Sequence, residues 1–245
     1  MKQIDRKKAI QLLKEEGLHA YNGLNILKYH NNSKAYVFSY KPTLEMIVID
    51  GYWVTLINTS LKKVVNCLKD LGYKEFGVNG GLEKYYKEAC CEKYKIDWFE
   101  KCYVYSYKGE DLKYSIPNGY YADILKKEDA KILYKYYTYK EDTPIDEIIE
   151  NIVNRDSVVI KKANGELVSW VTVHPDGTMG IMYTKKEFRR LYLGQITSKI
   201  LINKLIDKGE IPYVHIVDGN KASVGLAEKL GMEYMFDIVW FGIAI

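Results

Sequence analysis

The sequence is short of the residues that staple or punctuate a chain. Among 245 residues there are 4 cysteines, 4 histidines and 5 prolines. Cys67, Cys90, Cys91 and Cys102 all lie in the first half, without the spacing of a zinc site. An adjacent pair such as Cys90-Cys91 suits a reduced compartment better than a disulfide framework. The cysteines therefore read as small buried apolar residues, no metal is expected, and the expected location is cytoplasmic. Charge of one sign is also lacking. Lys and Arg number 36 against 32 Asp and Glu, a net +4 spread along the chain, which gives no footing for nucleic acid. No apolar run approaches the roughly 20 residues that span a bilayer. The opening "MKQIDRKKAIQLLKEEG" reads as a charged amphipathic helix, not a secretory signal. With nucleic acid and membrane set aside, the expected partner is a small molecule, and the expected state is monomer or homodimer.

What is present is a globular composition, 47% hydrophobic and 28% charged, with 23 tyrosines. That supports one large core or two ordinary ones. Periodicity predicts a helix over 4–16 and strands over 24–29, 35–40, 45–50 and 52–57. A helix over 61–71, a strand over 74–78, a helix over 81–93 and a strand over 100–107 follow. The polar, turn-rich stretch "YKGEDLKYSIPNGY" (107–120) reads as a linker. Beyond it come helices over 126–137 and 144–153, with Thr143 as N-cap and Pro144 at the first helical position. Strands over 157–162, 167–173 and 178–184 are joined by "NGE" and "HPDG" turns. A helix over 194–208 closes at Gly209, then a strand over 212–217, a helix over 221–230 and a strand over 234–242 end the pattern.

The two halves echo each other. "LKKVVNCLKDLG", "YKEFGVNGGLEKYYKEACCEK" and "IDWFEKCYVYSY" run helix, strand, helix, strand. "ITSKILINKLIDKG", "IPYVHIVDGNKASVGLAEKLG" and "MFDIVWFGI" do the same, with Asn79 and Asn220 at corresponding strand ends. The shared order points to duplication, with domains expected at 1–112 and 113–245. Only the second copy opens its first helix with a basic glycine turn, "FRRLYLGQ". Helix N-termini present unpaired backbone N–H groups and partial positive charge. Gly194 would permit close approach of an anion, and Arg189 and Arg190 supply forked cationic donors. A solvated surface turn is the other reading of the same residues.

These elements together resemble the GNAT superfamily of N-acetyltransferases. The motif Arg189-Arg190-Leu191-Tyr192-Leu193-Gly194 is similar to the superfamily's Arg/Gln-x-x-Gly-x-Gly/Ala loop, with Tyr192 where the first glycine usually stands. Asn220 through "LAEKLGM" resembles its later Asn-led helix. A narrower resemblance, carried by "IPNGYYADILKKEDAKIL", "GELVSW", "DGTMGIMYTKKEFRR", "IPYVHIVDGN" and "WFGI", is to the glycine N-acyltransferase family. The resemblance implies an α/β (α+β) GNAT-like fold, a mixed and mostly antiparallel sheet flanked by helices, duplicated with a degenerate N-terminal half. It implies acetyl-CoA or another acyl-CoA as co-substrate. Its diphosphate would be held by Arg189, Arg190, Leu191, Tyr192, Leu193, Gly194 and Gln195. Its pantetheine arm would run along Ile181, Met182 and Tyr183, with Asn220 and Ser223 nearby.

The chemistry departs from that pattern. Acyl transfer to an amine needs a neutral nucleophile, a polarised carbonyl and a proton for the thiolate. The usual general-base Glu is replaced by Thr178 and the usual Tyr by Ala227. His174 and Asp176, in the turn before that strand, and His215, on a neighbouring strand, are the groups able to substitute. Their alternatives are an ordinary hairpin turn and a core histidine. Glu187 reads as a solvated turn carboxylate. Three functions stay open: an N-acyltransferase acting on a small amine or amino acid, a catalytically silent acyl-CoA-binding protein, and a scaffold without nucleotide.

Overall fold

The computed structural model describes Met1–Ile245. Its contacts divide the chain into two compact units. The first holds Met1–Val104, Val217–Gly219 and Phe236–Ile245, and the second Tyr105–Ile216 and Asn220–Met235. The division therefore falls near 104 and not at the expected 112, and the last strand of the chain belongs with the first unit.

The first unit begins with β1 (Lys2–Ile4) and α1 (Arg6–Leu13). Asp5 caps α1, its carboxylate accepting from the Lys7 and Lys8 N–H groups at 2.9 and 3.3 Å. There follow α2 (Tyr21–Tyr29), β2 (Lys34–Ser39), β3 (Glu45–Asp50), β4 (Trp53–Ile57), α3 (Leu61–Asp70), β5 (Glu75–Leu82), α4 (Glu83–Cys91) and β6 (Lys95–Ser106). Completing its sheet is β12 (Glu233–Ala244), in the order β1-β2-β3-β4-β5-β12-β6. Most neighbours run antiparallel, and β4 pairs with β5 in parallel.

Three sequence expectations fail here. Residues 24–29 form part of α2 and not a strand. Asn22 through Leu27 are all buried, so the segment shows no period that would separate helix from strand. Asn79 does not cap α4. It lies within β5 and accepts from Asn22 Nδ2 at 3.0 Å, so it is no counterpart of Asn220. Cys90 and Cys91 are exposed, while Cys67 and Cys102 are buried. Burial pushes the Cys102 thiol up to about 12, which keeps it protonated and inert.

The second unit contains β7 (Tyr120–Asp123), α5 (Ala130–Tyr136), α6 (Ile145–Asn154), β8 (Ser157–Lys162), β9 (Leu167–Val173), β10 (Met179–Thr184), α7 (Leu193–Asp207), β11 (Tyr213–Val217) and α8 (Lys221–Lys229). Helix α6 starts one residue later than predicted, with Pro144 itself in the extended cap position in place of Thr143. An antiparallel sheet runs β10-β9-β8-β7, leaving β10 at its edge. Trp170 packs with Leu133, Ile148 and Ile152 of α5 and α6. Its neighbour Ser169 points the other way, toward α7, where Thr197 Oγ1 donates to Ser169 Oγ at 3.0 Å. The sheet is thus covered on both faces. Helix α7 ends as predicted, Gly209 at φ +68° carrying the chain out of the helix.

The stretch 107–120 is not a free linker. Asn203 of α7 clamps it with its amide: the Leu112 N–H donates to Oδ1 at 2.8 Å and Nδ2 donates to Leu112 O at 3.0 Å. Lys199 Nζ donates to Lys113 O at 3.1 Å.

Strand β12 is held in the first unit by more than its ladder. Gly77 and Gly242 sit under aromatic rings, where an added Cβ would lie 2.5 Å from Tyr52 and 2.4 Å from Trp98. Phe241 is fully buried among Val78, Tyr85 and Leu68. Phe241→Ala should lower the stability of the first unit by about 3–5 kcal/mol. A urea titration followed by tryptophan fluorescence, with Trp53 and Trp98 as reporters, checks this.

Candidate active site

Between β9 and β10 the pairing slips. Gly180 stands opposite Thr172 and Tyr183 opposite Trp170, so Ile181 and Met182 share the space across from Val171. This is a β-bulge, and it forces Ile181 to φ +49°. A β-branched residue in that region is a genuine outlier, held only because the surrounding structure over-determines it. The bulge bends an edge strand whose outer backbone groups have no strand beside them. Tyr183 faces the α5–α6 core, stacked on Tyr136 at 4.6 Å and beside Trp170 at 5.6 Å. Met182 faces α7, where Ser198 Oγ lies 3.6 Å from its sulfur. Of the three strand residues expected along a pantetheine arm, Ile181 and Tyr183 thus have their side chains in the core, and what the strand offers there is backbone.

The "HPDG" turn is a hairpin turn, as its residues predict, and it also gathers a polar cluster. Gly177 at φ +92° closes it, its N–H donating to His174 O at 2.9 Å. Asp176 is turned inward and buried. Thr178 holds it, the backbone N–H at 3.0 Å and the hydroxyl at 2.7 Å both donating to Oδ1. Tyr213 of β11 donates its hydroxyl to Asp176 O, and His215 Nδ1 lies 3.9 Å from Asp176 Oδ2. The Nε2–Cδ2 edge of the His174 ring lies against Gly180, where an added Cβ would come within 2.1 Å of Nε2. Residues expected singly, His174, Asp176, Thr178 and His215, therefore meet at the bulge. Thr178, where a carboxylate was sought, positions the carboxylate two residues away. Exposed Glu187 stays outside the cluster.

Both histidines are held neutral. Burial lowers the His174 pKa against the attraction of Asp176, and Arg155 lowers it further. Burial takes His215 down to about 4, again opposed by Asp176. A neutral imidazole at pH 7 can accept a proton.

At the far end of β10 the chain passes through the basic turn into α7. Arg189 folds back on the strand, Nε donating to Thr184 O at 3.2 Å with its guanidinium 5.5 Å from the Tyr183 ring centre. Arg190 and Tyr192 both take positive φ, +71° and +57°, and Tyr192 is the left-handed cap of α7. Alternation of this kind turns successive backbone N–H groups toward one concave side, a nest for an anion. No side chain caps α7, so its first N–H groups are left without a side-chain acceptor. Tyr192 occupies a conformation that glycine takes without cost and a tyrosine for about 1–2 kcal/mol. Gly194 also serves packing. An added Cβ there would lie 3.1 Å from Met182 Cε and 3.2 Å from Thr184 Oγ1, so its bareness serves the close packing of α7 on β10. Leu193 is likewise buried, whereas Leu191 and Tyr192 are exposed and Gln195 is half-buried. Asn220 caps α8, its Oδ1 accepting from the Ser223 N–H at 3.1 Å.

The neutral histidines link pH to stability. In the unfolded chain His215 titrates near 6.5 and in the folded one near 4, so the unfolded chain takes the proton first as pH falls. Stability complete above pH 6.5 should be lost progressively between about 6.5 and 4, by about 3 kcal/mol from this residue. Urea midpoints across that range should fall, and His215→Asn should make the fall shallower.

Residues 159–241 match the family model described as FR47-like protein. No curated protein matches the chain. Among solved structures, a Drosophila protein is similar over all of this chain and 98% of its own, with a TM-score of 0.80 at 13% identity. The tandem GNAT protein from the clavulanic acid biosynthesis pathway, solved without acetyl-CoA, is similar over 98% of this chain and 96% of its own, with a TM-score of 0.61 at 10% identity. A GCN5-related N-acetyltransferase-like protein from Streptococcus suis is similar over 97% and 98%, with a TM-score of 0.57 at 15% identity. Through these likenesses along its whole length, and the FR47-like match in its second half, the chain has the fold of the tandem GNAT proteins.

Proposed function

We propose that the second unit is an acyl-CoA-dependent N-acyltransferase, moving an acyl group, acetyl in the simplest case, to the amine of a small molecule or amino acid. The observation that carries this reading is the bulge at Gly180–Tyr183, with a neutral histidine on one side of it and an anion nest at the strand's end. Acyl-CoA is a substrate with an anionic end and an uncharged reactive end, and β10 joins one kind of environment to the other. Backbone N–H groups from 191 to 195, with Arg190, would take the diphosphate. The unpaired backbone of β10 would take the amide-bearing arm as an added strand. The acceptor class follows the glycine N-acyltransferase resemblance only as far as small amines.

The step itself is addition and elimination. The amine lone pair attacks the thioester carbonyl carbon, His174 takes an N–H proton, and the C–S bond breaks as the amide forms. The thiolate leaves and is protonated through water. Asp176, fixed by Thr178, stabilises the imidazolium that forms at His174, with His215 beside it. A second reading rests on Ala227: buried at the position of the usual Tyr, it offers no proton to the leaving thiolate. On that reading the protein binds acyl-CoA and does not turn it over.

Thiol release from acetyl-CoA with a panel of amines decides between them. His174→Gln should lower kcat about 100-fold or more while leaving the thermal shift given by CoA unchanged. Turnover unaffected by this change would remove His174 as the base, and CoA binding without any turnover would leave the silent reading standing.

A further inference from the structure

A groove of about 490 Å³ lies in the second unit beside the basic turn. One wall is the start of α7, with Tyr192, Gln195, Ile196 and Lys199, which recur at helical spacing. The other is the clamped stretch 113–117, with Lys113 and Tyr114. The clamp explains why the groove exists. Asn203 and Lys199, one turn apart, pin Leu112 and Lys113, and the chain then stands away from the next turn toward the helix start.

Its lining combines cationic, aromatic and aliphatic side chains. Two lysines border it, neither paired with a carboxylate, and it has no acidic residue. Tyr114 and Tyr192 are 47% and 69% exposed, an arrangement that leaves ring faces available. Aromatic faces beside cations suit a planar base that carries phosphate. The nest at Arg190 and Tyr192 adjoins this groove through Tyr192, which belongs to both.

We infer that the groove receives the phosphorylated adenosine end of CoA, Lys113 and Lys199 reading the 3′-phosphate and Tyr114 and Tyr192 flanking the adenine. This rests on the acyl-CoA reading above, and adds to it that the stretch joining the two halves of the sequence is a wall of the nucleotide site. The structure accordingly assigns Lys113 and Tyr114, which lie outside any phosphate-loop motif, to substrate discrimination.

Calorimetric titration of the full-length protein with CoA and with 3′-dephospho-CoA tests it. The parent should prefer CoA about tenfold or more. Lys113→Glu combined with Lys199→Gln should abolish that preference by weakening CoA alone, while Lys113→Arg with Lys199 intact should keep it. Tyr114→Ala should weaken both ligands alike, by about tenfold. A parent that binds both ligands equally, or a double variant that retains the preference, overturns the inference while the acyl-CoA reading stands. Failure of the parent to bind either ligand overturns both.

Discussion

The slip between β9 and β10 is the constraint on which the second unit's chemistry depends. A regular ladder would set Met182 opposite Trp170 and turn Tyr183 away from the α5–α6 core. With two residues against one, the strand bends beyond Gly180 and pairing resumes with Tyr183 opposite Trp170. The cost is a β-branched residue at positive φ. That cost is met by core packing of Ile181 and of Tyr183 against Tyr136 and Trp170, so the α5–α6 core and the site are one mechanical object.

The other face of the sheet supports the same end. Gly194, Thr197 and Ser198 put small surfaces of α7 against β10, and a chain of hydroxyls from Thr197 through Ser169 to Thr184 satisfies the buried polar atoms between them. Close approach of helix to strand brings the open N–H groups of α7 to the strand's end. The dipole of a 15-residue helix then works on the same side as Arg190.

Much of this was legible in the sequence, and the failures are instructive. Strand and helix order in the second half follows from alternation, "HPDG", "NGE" and Gly209, because each rests on local backbone chemistry. The basic turn was visible as a possible anion site for the same reason. What pattern could not show was the bulge, since "MGIMYT" reads as an unbroken strand and only pairing reveals two residues facing one. Nor could it show that Asp176 turns inward, or that Thr178 would hold it: exposure of a turn carboxylate is a tertiary outcome. Nor could it show that Gly194 packs against Met182 and Thr184, a contact set by the tertiary fold. The polar composition of 107–120 signalled a tether, and the Asn203 clamp that overrides this lies 91 residues away.

The membership of Phe236–Ile245 in the first unit has a consequence for how the protein is made. Strand β12 pairs with β5 from Ile238 opposite Leu82 to Ala244 opposite Glu75, contacts very distant along the chain. A ribosome delivers β5 long before β12, so the edge of β5 that β12 will cover stays open while the whole second half is synthesised. Until then the nascent first half carries an unsatisfied edge and a bare patch of core, the features that invite association with other chains. Folding with such high contact order is slow, and the first half cannot serve as a finished platform on which the second assembles. The first unit, though it comes first in sequence, is completed only by the last residues of the chain.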